Sequence, residues 1–223
     1  MHCLVTAGPT YEPLDEVRRL TNFSTGQLGT ELAAFLTTSG HKVILLIGEQ
    51  ATYRGVRLAE VIETYGTTGD LAERLAFYAN EGSVQALFHA AAVSDFGFGK
   101  IMKRTPAGEL QEVRSGKVST REGTLFAELV PTEKIITKLR GLFPKALLVG
   151  WKFEVEGDQP AVLELAKRQI AECNTDACVA NGPAYGPGFA VVQGNGNVTH
   201  CNDKPQLFHR LSQSISEQRA PFI

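Results

Sequence analysis

The chain has 223 residues, 43% of them apolar, which suits one large core, since single cores stop growing at ~250–300 residues, and excludes global disorder. Lys plus Arg number 22 against 24 Asp plus Glu, a formal charge of −2; this excludes a nucleic-acid binder working by bulk electrostatics and leaves any anionic ligand to locally placed donors. Cys3, Cys173, Cys178 and Cys201 show no C-x-x-C pairing and read as reduced thiols of a cytoplasmic protein, with no signal-peptide pattern behind Met1 and no apolar run near the ~20 residues of a membrane span.

His2 to Ala7 reads as a short buried strand, followed by an irregular loop over 8–26. A helix is predicted from about Gln27, capped by Ser24 or Thr25, because Leu28, Leu32, Phe35 and Leu36 share one helical face. Gly40 stops it, and His41 to Ile47 forms the next apolar strand. Asp70 with Glu73 resembles a capping box ahead of Leu71, Leu75 and Tyr78. Val84 to Val93 is a further strand, 131–142 a helix, Ala146 to Gly150 a strand, 159–172 an amphipathic helix and Asp176 to Ala180 a strand. This alternation predicts an α/β fold, a Rossmann-like doubly wound, mostly parallel sheet with helices on both faces, in a single domain over 1–223.

Two stretches depart from that rhythm. Residues 97–128 alternate polar and apolar around turns at Pro106-Ala107-Gly108 and Glu122-Gly123, which is the chemistry of a β-hairpin flap. Residues 188–201 read strand, Gly194-Asn195-Gly196-Asn197 turn, strand, with a last helix from about Lys204.

The first loop is long for a βα connection, whose usual length is ~2–6 residues. It sits at the carboxyl end of the first strand, where open α/β sheets bind ligands. Gly8 lets backbone approach a ligand, Thr10 offers a hydroxyl, and Ser24-Thr25-Gly26 lead into a helix N-terminus whose free N–H groups favour an anion. It is neither G-x-G-x-x-G nor a Walker loop.

The run from Thr6-Ala7-Gly8-Pro9-Thr10 through Asn22-Phe23-Ser24-Thr25-Gly26 resembles the opening signature of the phosphopantothenoylcysteine synthetases. Three further blocks are similar to that family in the same order: Ala90-Ala91-Ala92-Val93-Ser94-Asp95-Phe96, Leu148-Val149-Gly150-Trp151-Lys152-Phe153-Glu154 and Asp176-Ala177-Cys178-Val179-Ala180-Asn181. The resemblance implies a phosphopantothenate–cysteine ligase of coenzyme A biosynthesis. Such an enzyme forms an acyl-nucleotide from 4′-phosphopantothenate and CTP or ATP with Mg²⁺, which cysteine's amine then attacks. It implies no flavin, since the flavin-binding half fused to this unit in many bacteria has no counterpart here. It also implies a homodimer whose subunits complete each other's sites through the flap, with no nucleic-acid or membrane partner.

By the same resemblance, Asn22 holds the acyl-nucleotide and polarises its carbonyl, and Arg18 meets a phosphate through its fork of donors. Ser24, Thr25, Gly26 and Asn181 contact the acid. Gly8 and Thr10 line the nucleotide, Ser94 and Phe96 read the base through backbone groups, and Asp95 binds the ribose. Two segments fit the family's phosphate-binding lysine element, Lys100-Ile101-Met102-Lys103 and Lys117-Val118-Ser119-Thr120. Lys117 is preferred, with a catalytic role, and Lys100 is the alternative. Lys152 and Lys167 (with Arg168 beside it) complete an anion pocket. Thr132-Glu133-Lys134 replaces a bacterial T-P-D, so no metal ligand carries over, and Cys173 stands where bacterial members tend to have lysine. His89, on a buried strand, reads as a core residue. The rival readings are an NAD(P)-dependent oxidoreductase of short-chain type, which lacks here its G-x-x-x-G-x-G and Tyr-x-x-x-Lys, and a non-catalytic nucleotide-binding relative.

Overall fold

The computed structural model describes residues 1–113, 116, 117, 119 and 123–217. The chain opens with β1 (His2–Pro9), buried from Cys3 onward. A small hairpin follows, β2 (Tyr11–Pro13) and β3 (Arg19–Thr21), so the first loop is only partly irregular. The chain then crosses through α1 (Gln27–Thr38) to β4 (Lys42–Gly48) and on to β5 (Val61–Tyr65), and returns through α2 (Thr68–Glu81) to β6 (Ala86–Ala92). An excursion of three antiparallel strands comes next: β7 (Phe96–Arg104), β8 (Leu110–Glu112) and β9 (Leu125–Pro131). A 3-10 turn (Ile135–Lys138) and α3 (Leu139–Leu142) lead to β10 (Leu147–Phe153), α4 (Gln159–Cys173) and β11 (Ala177–Asn181). The hairpin β12 (Phe189–Gln193) and β13 (Val198–Cys201) precedes α5 (Lys204–Glu217).

The central sheet runs β13-β12-β11-β10-β6-β1-β4-β5. Every pairing from β11 to β5 is parallel, and β12 and β13 add antiparallel strands at one edge. The chain therefore winds outward from β1 in one direction, returns, and winds outward again from β6. The carboxyl ends of β1 and β6 flank the point where strand order reverses.

Both faces are covered, which is why the inner strands are apolar without alternation. On one face Val5, Ala7 and Phe88 pack under Leu32 and Leu36 of α1 and Leu207 and Leu211 of α5. On the other, Leu4 and Leu87 meet Leu71 and Leu75 of α2 and Leu139 of α3. Val162, Ala166 and Ile170 of α4 cover Cys178, Ala180 and Val192 beside them. All four cysteines are buried and free. No helix among the described residues is long and apolar enough to cross a membrane.

Several local expectations need correction. The N-cap position of α1 is Gly26 in the left-handed region (φ 77°) rather than Ser24 or Thr25, although Thr25 Oγ1 accepts from the Gln27 amide at 3.3 Å. The chain enters this helix at an angle only a positive φ supplies, which Ser and Thr resist. α2 starts one turn earlier than the Asp70–Glu73 pair implies. Thr67 accepts from the Asp70 amide at 3.1 Å, while the Asp70 carboxylate accepts from the Gly66 amide at 2.7 Å. Residues 131–142 are mostly extended or 3-10, since Pro131 still closes β9. β5 was not anticipated. The excursion does hold a hairpin turning at 105–109, but Glu122 of the second expected turn lies outside the described residues. The turn at 194–197 joins β12 to β13 as expected.

No helix covers the β4–β5 connection, and Glu31 of α1 helps hold it. Its carboxylate accepts from Tyr53 at 3.0 Å and Gln27 at 2.7 Å, and pairs with Lys204 of α5 at 2.8 Å. Partial burial raises its pKa, but donors from Lys204, Gln27 and Tyr53 outweigh this and hold it below the usual carboxylate range. A carboxyl depressed in the folded state stabilises above its unfolded pKa and loses that contribution as pH falls through the folded value. Glu31→Gln is therefore expected to cost about 1 kcal/mol near neutrality, with wild type and variant converging in acid. Thermal melts across pH check this, and a constant gap at every pH contradicts it.

Candidate active site

A cleft of about 930 Å³ opens at the switch point. Residues 24–29 at the start of α1 form one wall, the end of β6 and residues 93–95 form the floor, and residues 131–136 with Trp151, Lys152 and Asn181 form the rest.

The first wall depends on two glycines. Gly26 supplies the positive φ that turns the chain into α1. A Cβ on Gly29 would lie 2.7 Å from Ala7 Cβ and 3.0 Å from the Thr6 carbonyl oxygen. Only hydrogen lets the first turn of α1 sit this close to β1. The result aims the first-turn amides, which have no acceptor within the helix, and the positive end of the helix dipole at the cleft.

The floor is held from beneath. Thr10 Oγ1 accepts from the Ser94 amide at 2.8 Å and donates to Ser94 Oγ at 3.0 Å, with Thr68 Oγ1 at 3.3 Å. Thr132 donates its amide to the Asp95 carbonyl at 3.0 Å and its hydroxyl to the Ser94 carbonyl. Asn22 reaches over the rim, its Nδ2 donating to the carbonyls of Ala92 at 3.1 Å and Val93 at 3.3 Å. Thr6 Oγ1 accepts from the Ala91 amide at 3.1 Å and lies 3.0 Å from His89 Nδ1. The Thr6 hydroxyl can donate to Nδ1 or accept from it, so this contact fixes the ring's place in the floor. Burial lowers the His89 pKa to about 4, so this ring is neutral at the cleft floor rather than a titrating base.

Two lysines line the cleft. Lys152 pairs with Glu154 at 3.0 Å. Lys134 makes no ion pair among the described residues, whereas its neighbour Glu133 is taken by Lys138. Burial raises the Cys173 thiol, and the charges of Lys134 and Lys152 pull it back; Lys152 stands in register with Ala180, which packs under α4. Asp95 is exposed, and among the described residues its carboxylate has no partner.

Of the residues singled out from sequence, the cleft brings together Asn22, Ser24, Thr25, Gly26, Ser94, Asp95, Lys152 and Asn181. Others fall elsewhere. Gly8 (φ 79°) faces Ala51, whose Cβ would lie 2.9 Å from an added Cβ, so its close neighbour is protein and not the cleft. Thr10 is fully buried beneath the floor with its hydroxyl already engaged. Both backbone groups of Ser94 are bonded inside the protein, and Phe96 lies on β7 opposite Pro131, outside the lining. Arg18 sits on the exposed β2–β3 turn against Asp15. Lys100 and Lys117 are exposed on the excursion away from the lining, and Val118 and Thr120 of the preferred lysine element lie outside the described residues. Lys167 pairs with Glu164 at 2.6 Å on the open face of α4.

Sequence reasoning missed Lys134, His89, Trp151 and Gln169 as lining residues. His89 and Trp151 lie in the carboxyl halves of β6 and β10 and Lys134 follows β9, where the sheet's carboxyl edge gathers side chains, whereas Gln169 reaches in from α4 beside Gly150.

The comparisons with known proteins bear on the fold and the family. A 31% identical protein of Bacillus subtilis, the "coenzyme A biosynthesis bifunctional protein CoaBC", aligns over 191 residues, 85% of this chain and 42% of its own. The chain thus spans less than half the length of this curated relative. The "DNA/pantothenate metabolism flavoprotein" structure from Streptococcus pneumoniae superposes with a TM-score of 0.82 at 23% identity, over 97% of this chain and 99% of that one. A "Cab2 mutant H337A complex with phosphopantothenate-cysteine" does so with a TM-score of 0.69 at 18% identity, over 98% and 89%. At such identities these two likenesses establish the shared fold. The sequence model for the DNA/pantothenate metabolism flavoprotein C-terminal domain matches residues 1–217, nearly the whole chain, and the chain belongs to that family.

Proposed function

We propose that the chain joins 4′-phosphopantothenate to cysteine through an acyl-nucleotide made from CTP or ATP. The observation that carries this reading is a single cleft lined both by the α1 N-terminus and by two lysines, Lys134 and Lys152. α1 packs over β1 on one side of β6, and Lys152 stands on β10 on the other, with Lys134 in the same lining. A phosphorylated acid on the helix and a triphosphate on the lysines would bring carboxylate and α-phosphorus together over Ala90–Ala92, whose small side chains leave room. The carboxylate oxygen attacks the α-phosphorus and pyrophosphate leaves. Cysteine's amine then attacks the activated carbonyl, forming the amide as nucleoside monophosphate leaves and the amine's surplus proton is released. Asn22, whose Nδ2 is clipped to the floor carbonyls, holds the β3–α1 segment beside the reacting centre, and the neutral His89 ring lines the floor beneath it. The names of the relatives support the choice of acid and amine.

Among the described residues no group of three or more His, Cys, Asp or Glu could hold a metal. Mg²⁺ characteristically binds through one or two carboxylates plus substrate phosphates. The unpaired Asp95 fits a metal that arrives on the triphosphate, where it would neutralise phosphate charge. Val17, Phe23, Phe96 and Leu129 are exposed apolar residues on the β2–β3 turn, the α1 approach and the excursion, and these segments touch where the Glu16 amide donates to the Gly116 carbonyl at 2.9 Å. In the proposal a second copy of the chain covers this surface.

The test is pyrophosphate release from the full chain with phosphopantothenate, cysteine, Mg²⁺ and either CTP or ATP. Release that depends on the acid supports the reading, and no release with either nucleotide refutes it.

A further inference from the structure

We propose that Gln169 is a metal-docking residue of the nucleotide site, its side-chain oxygen accepting from a water bound to the divalent cation that a nucleoside triphosphate carries; the inference rests on the ligase reading above. The residue reaches the cleft from α4 rather than from a strand end. Its amide lies across Gly150, where an added Cβ would meet Gln169 Nε2 at 2.6 Å and Ile136 Cδ1 at 2.8 Å. Glycine at 150 is what leaves room for it.

One end of that amide is spent inside the protein. Gly150 is in register with Cys178 of β11, and Gln169 Nε2 donates to Cys178 Sγ at 3.3 Å. The thiol in turn donates to the Val179 carbonyl at 3.8 Å. Burial pushes the Cys178 thiol up to about 12, so the sulfur keeps its proton and serves Gln169 as an acceptor. That contact orients the amide, nitrogen to the sulfur and oxygen away from it. Among the described residues no hydrogen bond reaches Gln169 Oε1, and the residue lines the cleft.

The surroundings restrict what this oxygen can take. Lys152 is two residues beyond Gly150 and so faces the same side of β10, with Cα positions ~6.6 Å apart. Lys134, just before Ile136, lines the same cleft. Two ammonium groups suit a triphosphate, but phosphate oxygens bring no proton to an amide oxygen and repel it. A fixed acceptor beside a triphosphate is therefore met through a positive or proton-bearing group that travels with the phosphates. A divalent cation is such a group. Mg²⁺ keeps several of its waters and binds through one or two carboxylates plus phosphates, so the amide oxygen meets it through a bound water. The ammonium form of cysteine fits less well, because Lys134 and Lys152 repel a further free cation.

An amino group of the base or a ribose hydroxyl shares this donor chemistry, and removing the metal separates the sources, since both of those groups remain. The test is equilibrium dialysis of the full chain with CTP and with ATP, in Mg²⁺ and in EDTA, without acid or cysteine. Gln169→Met keeps the length of the side chain and removes the acceptor. It is expected to weaken binding roughly three- to tenfold in Mg²⁺ and less than about twofold in EDTA. Gln169→Lys sets an ammonium where the bound water would lie, and is expected to tighten binding in EDTA and shrink the gain that Mg²⁺ gives. Equal losses in the two conditions for Gln169→Met would assign the oxygen to the base or ribose and overturn the metal contact. So would a Gln169→Lys chain that gains as much from Mg²⁺ as the wild type does. A wild type that shows the expected contrast with both variants yet releases no pyrophosphate with acid and cysteine refutes only the ligase reading. An active wild type whose binding neither variant alters refutes only the metal contact, and a wild type that binds neither nucleotide overturns both.

Discussion

Replacing Asn22 by aspartate is expected to lower turnover about a hundredfold while nucleotide still binds. The two side chains have the same shape, but the change removes both donors and sets a carboxylate against the Ala92 and Val93 carbonyls, now 3.1 and 3.3 Å from Nδ2. The segment from β3 to α1 is then no longer clipped to the end of β6, and a shift near 1 Å in a reacting group can cost ~10²-fold. Lost hydrogen bonds and the new repulsion cost about 1–3 kcal/mol of stability besides. Steady-state kinetics and a thermal melt read the two effects separately. Unchanged turnover would remove Asn22 from the chemistry.

Replacing Gly29 by valine is expected to be the most damaging small change in the cleft wall. The added Cβ alone would sit 2.7 Å from Ala7 Cβ and 3.0 Å from the Thr6 oxygen, and backbone on a central strand cannot yield. Overpacking of this kind costs about 3 kcal/mol. α1 must lift from β1, which carries its N-terminal amides away from the substrate anion, so the KM for the acid should rise along with the loss of stability. Gly141 of α3 is the control, because nothing lies within 4 Å of a Cβ there. Gly141→Ala should be neutral or stabilise by up to about 1 kcal/mol through helix preference. Equal effects at the two glycines would contradict the role given to the α1–β1 contact.

The sheet was legible because its inner strands are covered on both faces and so read as unbroken apolar runs. β5 escaped because it is an edge strand: Val61 and Ile62 are exposed, and Val-Ile-Glu-Thr-Tyr carries too little pattern to separate from loop. The cap of α1 was misplaced because hydroxyl residues at 24 and 25 offered the usual signal, while the approach angle demanded glycine at 26.

The site divides in the same way. Residues at strand ends and at the α1 N-terminus were legible, since topology alone sends them to one edge. Residues whose partners are distant in sequence were not. Thr10 looked available, but Ser94 and Thr68 engage its hydroxyl, and Lys167 looked like an anion ligand, but it lies on α4 outside the cleft lining. Lys134 was passed over as part of a motif that departs from the family pattern, although the 3-10 turn after it brings it to the cleft. His89 was read as core, and it is buried, but its register with Thr6 also brings it to the floor of the cleft.

The central claim is that this cleft activates a carboxylate by nucleotidyl transfer. The most direct test supplies phosphopantothenate labelled with oxygen-18 in its carboxylate, together with cysteine, Mg²⁺ and CTP or ATP, and locates the label by mass spectrometry. Attack of the carboxylate on the α-phosphorus predicts one labelled oxygen in the nucleoside monophosphate. Label in inorganic phosphate, with a nucleoside diphosphate as co-product, would mean an acyl phosphate instead and would contradict the account.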